Sequence, residues 1–382
     1  MEKNFKTMVT IFIGYFLLSL FSNTLSPFIT TIKSTYNVSS NIIAFIPSVV
    51  YCASLIMNII GAKLMPWLGI KNGMCLGIVF EILASLIIVF SKSFHVILIG
   101  YFIAGLAIGM ACLYLSTMLS LLPQKYQKFS FANACFGLGG ILILPVDRLI
   151  LKMGIKFNYT YIIHIILISL YIVLVLKIDG RTFYKSNSEC KTSFSILKNP
   201  LILLLCIAVF FYVGAEISTT NWTGTFLEKY YGISKVEVPS ILLSFWILFT
   251  IGRSLGDKFL DKIGQLRFLS ISPLIAILGI FILLFGKSKI QALTGFSIIG
   301  ISISLMYPAL QGYIVQHVDK KNIPSASAVT IIFNNLGATF LTYMIGFAGG
   351  IKITYVFIIQ ILFYMYITLV SIYYMISKPK KV

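Results

Sequence analysis

The sequence predicts an all-α polytopic membrane protein with twelve transmembrane helices in two pseudo-symmetric six-helix bundles. Three observations carry this reading: an apolar composition that no soluble core can absorb, twelve apolar runs of spanning length, and matches between the two halves at one fixed offset. Of 382 residues, 58% are hydrophobic and only 11% are charged, whereas a soluble domain is roughly a quarter charged. Lipid is therefore the solvent for most of this chain.

A spanning helix needs roughly 20 mostly apolar residues. Such runs lie at about 8–32, 40–65, 73–91, 95–122, 128–150 and 157–178, then at about 200–228, 237–260, 267–286, 289–317, 323–349 and 352–377. The polar stretch 179–199 divides them, giving bundles at 1–178 and 200–382 joined by a linker. Backbone groups in lipid need internal partners, so helices are expected; the short alternating strands of an outer-membrane barrel are not seen. The first run is too long for a signal-peptide core and no small-residue cleavage site follows it, so it is read as a retained helix.

The net charge of +19 comes from 30 Lys and Arg against 11 Asp and Glu. In a soluble protein this would suggest nucleic acid, but here the charges sit in short gaps between apolar runs and form no basic stripe. They orient the chain instead. With both termini cytoplasmic, 20 of the 30 Lys and Arg fall inside, together with the 179–199 linker and the tail Lys378–Lys381. The gap around Arg148, Lys152 and Lys156 runs against that bias. The six cysteines show no C-x-x-C spacing and the three histidines no metal-ligand spacing, so neither a metal nor another cofactor is expected.

The halves match at an offset of 195 residues. Thr30, Tyr36 and Ser39 correspond to Thr225, Tyr231 and Ser234; Gly61, Lys63 and Gly69 to Gly256, Lys258 and Gly264; Phe90, Lys92, Ser93, Gly100 and Gly105 to Phe285, Lys287, Ser288, Gly295 and Gly300. A biased composition explains any one pair of glycines, but poorly explains a constant offset through loops and helices. Parallel six-helix repeats are a transporter architecture, with the solute site near the bilayer midplane.

Polar groups in a membrane helix are costly unless they face a partner or a wet cavity. The first run carries Ser19, Ser22, Asn23, Ser26 and Thr30 on one stripe, and the seventh carries Tyr212, Glu216, Thr219, Thr220 and Thr223. The tenth carries Ser297, Gly300, Ser304, Tyr307 and Gln311, and the eleventh Ser327, Thr330, Asn334 and Asn335. Small and hydroxyl residues also mediate ordinary helix packing. That alternative is weaker for Gln311, Asn334, Asn335 and Glu216, which need more partners than a packing seam offers. A carboxyl near the middle of a span costs roughly 2.5–3.5 kcal/mol on insertion scales, and burial favours its neutral form, so such a group can carry a proton. Glu216 is the leading candidate for that role. Glu81 is the second, although its run has no matching stripe; the alternative for both is a neutral structural acid. His164, alone in the sixth run, reads as a packing residue. Asn221 and Trp222 follow Glu216, and Trp222 is either an interfacial anchor or a platform for a sugar or aromatic ligand. Arg253 and Asp257 are spaced for an ion pair at the inner end of the eighth run. With Asp261 in the following loop they form either a cytoplasmic clamp or simple surface charge.

These residues resemble the major facilitator superfamily. Its loop after the second helix has a pattern like Gly-x-Leu-x-Asp-Arg-x-Gly, and Gly256-Asp-Lys-Phe-Leu-Asp261-Lys-Ile-Gly264 is similar, with its first Gly one place early. The first-half copy, Gly61 to Gly69, has Pro66 where the acid belongs. Within the superfamily the chain looks most like the fucose-permease type of sugar–proton symporter. Tyr212-Val-Gly-Ala-Glu216 resembles that type's seventh helix, Gly109-Met-Ala-Cys-Leu-Tyr114 its fourth, Met306-Tyr-Pro308 its tenth and Asn23-Thr-Leu-Ser-Pro27 its first. The resemblance implies acids in the first and fourth helices that serve the proton and the sugar. Here those positions hold Asn23 and Tyr114, neither of which cycles a proton at neutral pH, so either Glu216 takes over or the chain works differently.

The expected function is secondary transport of a small polar, sugar-like organic solute across the cytoplasmic membrane by alternating access, with a proton or cation as candidate co-substrate. Asn23, Tyr114, Tyr307, Gln311, Asn334 and Asn335 would hydrogen-bond the solute. A monomer in the lipid bilayer is expected, with no nucleic-acid partner. No segment resembles an ATP-binding P-loop. The rival readings are a drug or metabolite efflux antiporter of the same fold, a membrane-embedded enzyme, for which no catalytic constellation is found, and a non-transporting sensor.

Overall fold

The computed structural model describes residues 2–178, 194–319 and 322–377. Among these residues the secondary structure is helical, with no strand. Among the described residues, ten helices have the length and apolar character to cross a membrane. One of them, Asn41–Phe90, holds two spans joined at Gly69, whose backbone leaves the helical region (φ 71°, ψ 164°). With the shorter apolar helix Val238–Ser254 the spans number twelve. The chain divides into two compact units, the first taking in the N-terminal half together with Lys235–Pro239. Most of the expected linker lies outside the described residues. Its last part is ordered locally, with Phe194–Lys198 forming a 3-10 turn before Asn199.

In the first unit, α1 (Glu2–Asn23) and α2 (Leu25–Thr35) form one span with a break at Thr24. Pro27 has no N–H to give the carbonyl four residues back, and so loosens the helix there. Asn23 Nδ2 bonds to Ser19 O at 2.9 Å and Ser19 Oγ at 3.1 Å. Thr24 Oγ1 donates to Leu20 O and sits 2.7 Å from His164 Nε2. A short α3 (Ser40–Ile43) leads into α4 (Phe45–Phe90), followed by α5 (Phe94–Leu121), α6 (Phe129–Lys152) and α7 (Thr160–Leu176).

The second unit begins with α8 (Pro200–Tyr231). Its start follows from Asn199, whose side chain accepts from Leu201 N at 2.9 Å, and from Pro200 in the first turn. It stops at Gly232, left-handed at φ 66°. The eighth span is shorter than expected. Helix α9 (Val238–Ser254) ends there, and a separate α10 (Gly256–Ile263) covers the motif-like segment. Then come α11 (Gln265–Phe285), α12 (Lys289–Ile303) and α13 (Met306–Gln316). After α14 (Ile323–Leu336) a π turn over Gly337–Leu341 leads into α15 (Thr342–Ile351), and α16 (Tyr355–Ser377) closes the unit.

The 195-residue offset reappears as repeated geometry. Gly69 and Gly264 both have positive φ, 71° and 88°. Ser93 and Ser288 each cap a helix, accepting from Val96 N and Gln291 N. A Cβ on Gly105 would lie 2.2 Å from Val50 O, and one on Gly300 2.5 Å from Phe245 O; residues 50 and 245 are themselves 195 apart. Gly100 against Ile88 and Gly295 against Leu283 repeat the relation once more. Gly105 and Gly300 mark crossings where a neighbouring helix backbone leaves no room for a Cβ, whereas Gly100 and Gly295 meet neighbouring side chains first.

Candidate functional site

The second unit holds a charged cluster built from α8, α9 and the break in the tenth span. Pro308 has no N–H, which frees the Ser304 carbonyl, and Arg253 Nε donates to that oxygen at 3.3 Å. Arg253 Nη2 lies 3.6 Å from Glu216 Oε1, and its guanidinium carbon lies 4.2 Å from the centre of the Phe249 ring. Both charged side chains keep partial exposure, 26% for Arg253 and 17% for Glu216. An ion pair that retains contact with water can exchange partners at modest cost, whereas a sealed pair is held by the desolvation of both ions.

Tyrosines frame the pair. Tyr212, one turn before Glu216, is fully buried; its hydroxyl lies beside both charges without a hydrogen bond of normal geometry. Tyr307 is partly exposed, faces the same charges, and its ring centre is 6.4 Å from that of Tyr212. Tyr364 of α16 faces Glu216. The result is a cation, an anion and phenols on one partly exposed polar wall.

The expected partner of Arg253 was Asp257. The structure places Arg253 beside Glu216 in the polar cluster; the side chains of Asp257 and Asp261 lie outside the described residues, so the expected inner clamp falls outside them too. Trp222 needs a firmer correction. It is 2% exposed and its Nε1 donates to Thr342 O at 3.3 Å, at the end of the π turn. The indole is thus packed within the second unit, where α8 is buried on nearly every side from Tyr212 to Leu227. Part of the seventh-span stripe is packed as well, with Thr219 Oγ1 donating to Gln360 Oε1 at 2.8 Å and Thr223 bonded to Thr219 O. Asn221 is buried, and its Nδ2 has no partner among the described residues. Asn335 is buried, whereas Asn334 and Gln311 are partly exposed.

In the first unit, Tyr114 is fully buried, donates to Gly61 O at 3.4 Å, and lies so close to Gly73 that a Cβ there would come 1.9 Å from its ring. This is a packing position, as is that of Asn23, spent on Ser19. His164 is also satisfied within the bundle, by Thr24. Glu81 is 6% exposed and lines a cavity of about 20 Å³ with Gly14, Gly77, Ala111, Leu115 and Tyr171, room for about one water molecule. Among the described residues no group of three His, Cys, Asp or Glu could hold a metal. Sequence reasoning missed Gln360 on α16 and Asp147 on α6, both fully buried.

Twelve spans in two units carrying parallel repeats, with a polar cluster inside the second, define the class as secondary transporters. Residues 11–342 match the model of the Major Facilitator Superfamily, and the chain belongs to that family of transporters. A TsgA homolog of Buchnera aphidicola subsp. Schizaphis graminum is 24% identical over 317 residues, 80% of this chain and 78% of that protein. Another, from Buchnera aphidicola subsp. Baizongia pistaciae, is 23% identical over 55% of this chain and about half of its own length, 52%. A candidate glucose/galactose transporter of Helicobacter pylori is 24% identical over 68% of each chain. Among solved structures, a D-xylose–proton symporter superposes with a TM-score of 0.83 at 14% identity, covering 99% of this chain and 98% of that one. The Escherichia coli fucose–proton symporter superposes with a TM-score of 0.66 at 17% identity, covering 97% and 99%. At these identities the superpositions speak to fold alone.

Proposed function

We propose that this chain moves a small, neutral, sugar-like solute across the cytoplasmic membrane by alternating access, with a proton as co-substrate. The single observation that carries this reading is the partly exposed Glu216–Arg253 pair framed by Tyr212 and Tyr307. A guanidinium donates in a planar fork and a carboxylate accepts; together they match adjacent hydroxyls, and the phenols supply flat faces for a sugar ring. Gln311, Asn334 and Asn335 extend the hydrogen-bonding set, and a solute hydroxyl and a proton would each compete for Glu216. Glu81 with its cavity is the second candidate for proton coupling. The Helicobacter pylori relative named for glucose/galactose supports the solute class. The excess of Lys and Arg on one side supports cytoplasmic termini.

The test is reconstitution of the full chain into proteoliposomes loaded with D-glucose, D-galactose, D-xylose, L-fucose or uridine, with radiolabelled solute outside. At least one hexose or pentose is expected to exchange, and to accumulate severalfold under an inward proton gradient. Uptake of cationic dyes with no exchange of any sugar would favour the efflux reading and overturn this one.

A further inference from the structure

We infer that Asp147, in the first unit, is a proton-carrying carboxyl served by a two-tyrosine relay. Asp147 lies on α6, is fully buried, and neither of its carboxylate oxygens has a hydrogen-bond partner among the described residues. A carboxylate withdrawn from water with both oxygens unpartnered keeps its charge only at a cost of several kcal/mol. It therefore takes up a cation, and the smallest is a proton. The titratable groups that face it are Tyr101 of α5 and Tyr161 of α7, both close enough to bear on it electrostatically. Their hydroxyls are bonded to each other at 2.9 Å. The charge next along α6, Arg148, turns to Glu237 at 2.6 Å and does not neutralise Asp147.

Both tyrosines also line a cavity of about 20 Å³ with Phe21, Ser22, Leu25 and Ala104, enough for about one water molecule. The two tyrosines thus line a water-sized space beside the break in the first span and lie near enough to Asp147 to bear on it electrostatically, so a small swing of the carboxyl would bring it onto the hydroxyl pair. A hydronium ion in that space gives a proton to one hydroxyl as the relay passes a proton on to an Asp147 oxygen. Each tyrosine ends as it began, and the net change is hydronium plus carboxylate to water plus carboxylic acid.

The role in the transport cycle rests on the symport reading above, but the carboxyl's own titration is measurable without solute. The experiment is infrared spectroscopy of the purified full chain in lipid nanodiscs across a pH series, on wild type, Asp147→Asn, Asp147→Glu, Tyr161→Phe and Glu216→Gln. The wild type is expected to show a protonated-carboxyl stretch that fades as pH rises, to lose that component in Asp147→Asn, and to keep it in Glu216→Gln. Asp147→Glu should restore it at a shifted position, which covers the event that Asp147→Asn does not fold, and Tyr161→Phe should slow its response to a pH jump. In proteoliposomes, Asp147→Asn should lose at least tenfold of the stimulation of sugar uptake by an inward proton gradient. A wild-type spectrum with no titrating component removed by Asp147→Asn, or gradient-driven uptake intact in that variant, would overturn the inference. A titrating Asp147 in a protein that exchanges no sugar would sink the solute reading and leave this one standing.

Discussion

Glu216→Gln is expected to abolish proton-driven accumulation of solute while leaving solute exchange slowed but measurable. The amide keeps the size and one acceptor of the carboxyl, so Arg253 retains a polar neighbour and the cluster its packing. What is lost is the site that exchanges a guanidinium for a proton, and with it the link between proton flow and solute flow. The variant also removes the carboxylate charge beside Arg253. Because the pair is 3.6 Å apart and partly exposed, the stability cost should be about 1–3 kcal/mol, below that of a sealed ion pair. The check is paired uptake and exchange assays in proteoliposomes, with thermal unfolding in detergent beside them. Accumulation equal to wild type in Glu216→Gln would remove Glu216 from coupling.

Trp222→Ala should have the largest effect on stability, about 3–5 kcal/mol. Trp222 is among the largest fully buried side chains of the chain, and its indole N–H is spent on the Thr342 carbonyl. Truncation opens a void between α8 and the helix that follows the π turn, and strands that carbonyl. Trp222→Phe should recover much of the packing without the hydrogen bond and so fall between wild type and Ala. Thermal unfolding of the three proteins measures this. A residue that stacked on solute at a gate would behave otherwise, with Trp222→Ala folding normally and losing affinity.

The architecture was legible because membrane spans and repeats are one-dimensional signals. Twelve apolar runs become twelve spans, and the 195-residue offset returns as paired positive-φ glycines and paired glycine–carbonyl crossings. The site was less legible, because a stripe says which residues share a face but not what that face meets. On α8 the polar residues surround most of the helix, so Glu216 reaches Arg253 while Thr219 reaches Gln360 and Trp222 reaches Thr342. Tyr114 carried a motif resemblance, yet Gly73 and Gly61 leave it a packing slot. Arg253 sits four residues before Asp257, a spacing that suggested a local pair. Its contact with the Ser304 carbonyl, which Pro308 frees fifty residues away, carries no such local signal. Asp147 lies inside the fifth run but beside the basic Arg148, Lys152 and Lys156, and its local sequence gives no sign that it is buried on α6.

The central claim is that the polar wall around Arg253 binds the solute. Its most direct measurement is equilibrium binding, to purified wild type and Arg253→Ala, of whichever sugar the proteoliposome panel identifies. A charged hydrogen bond to a hydroxyl contributes about 1.5–3 kcal/mol, so affinity should fall at least tenfold in a variant that still unfolds cooperatively. Unchanged affinity in a folded Arg253→Ala protein would contradict the account.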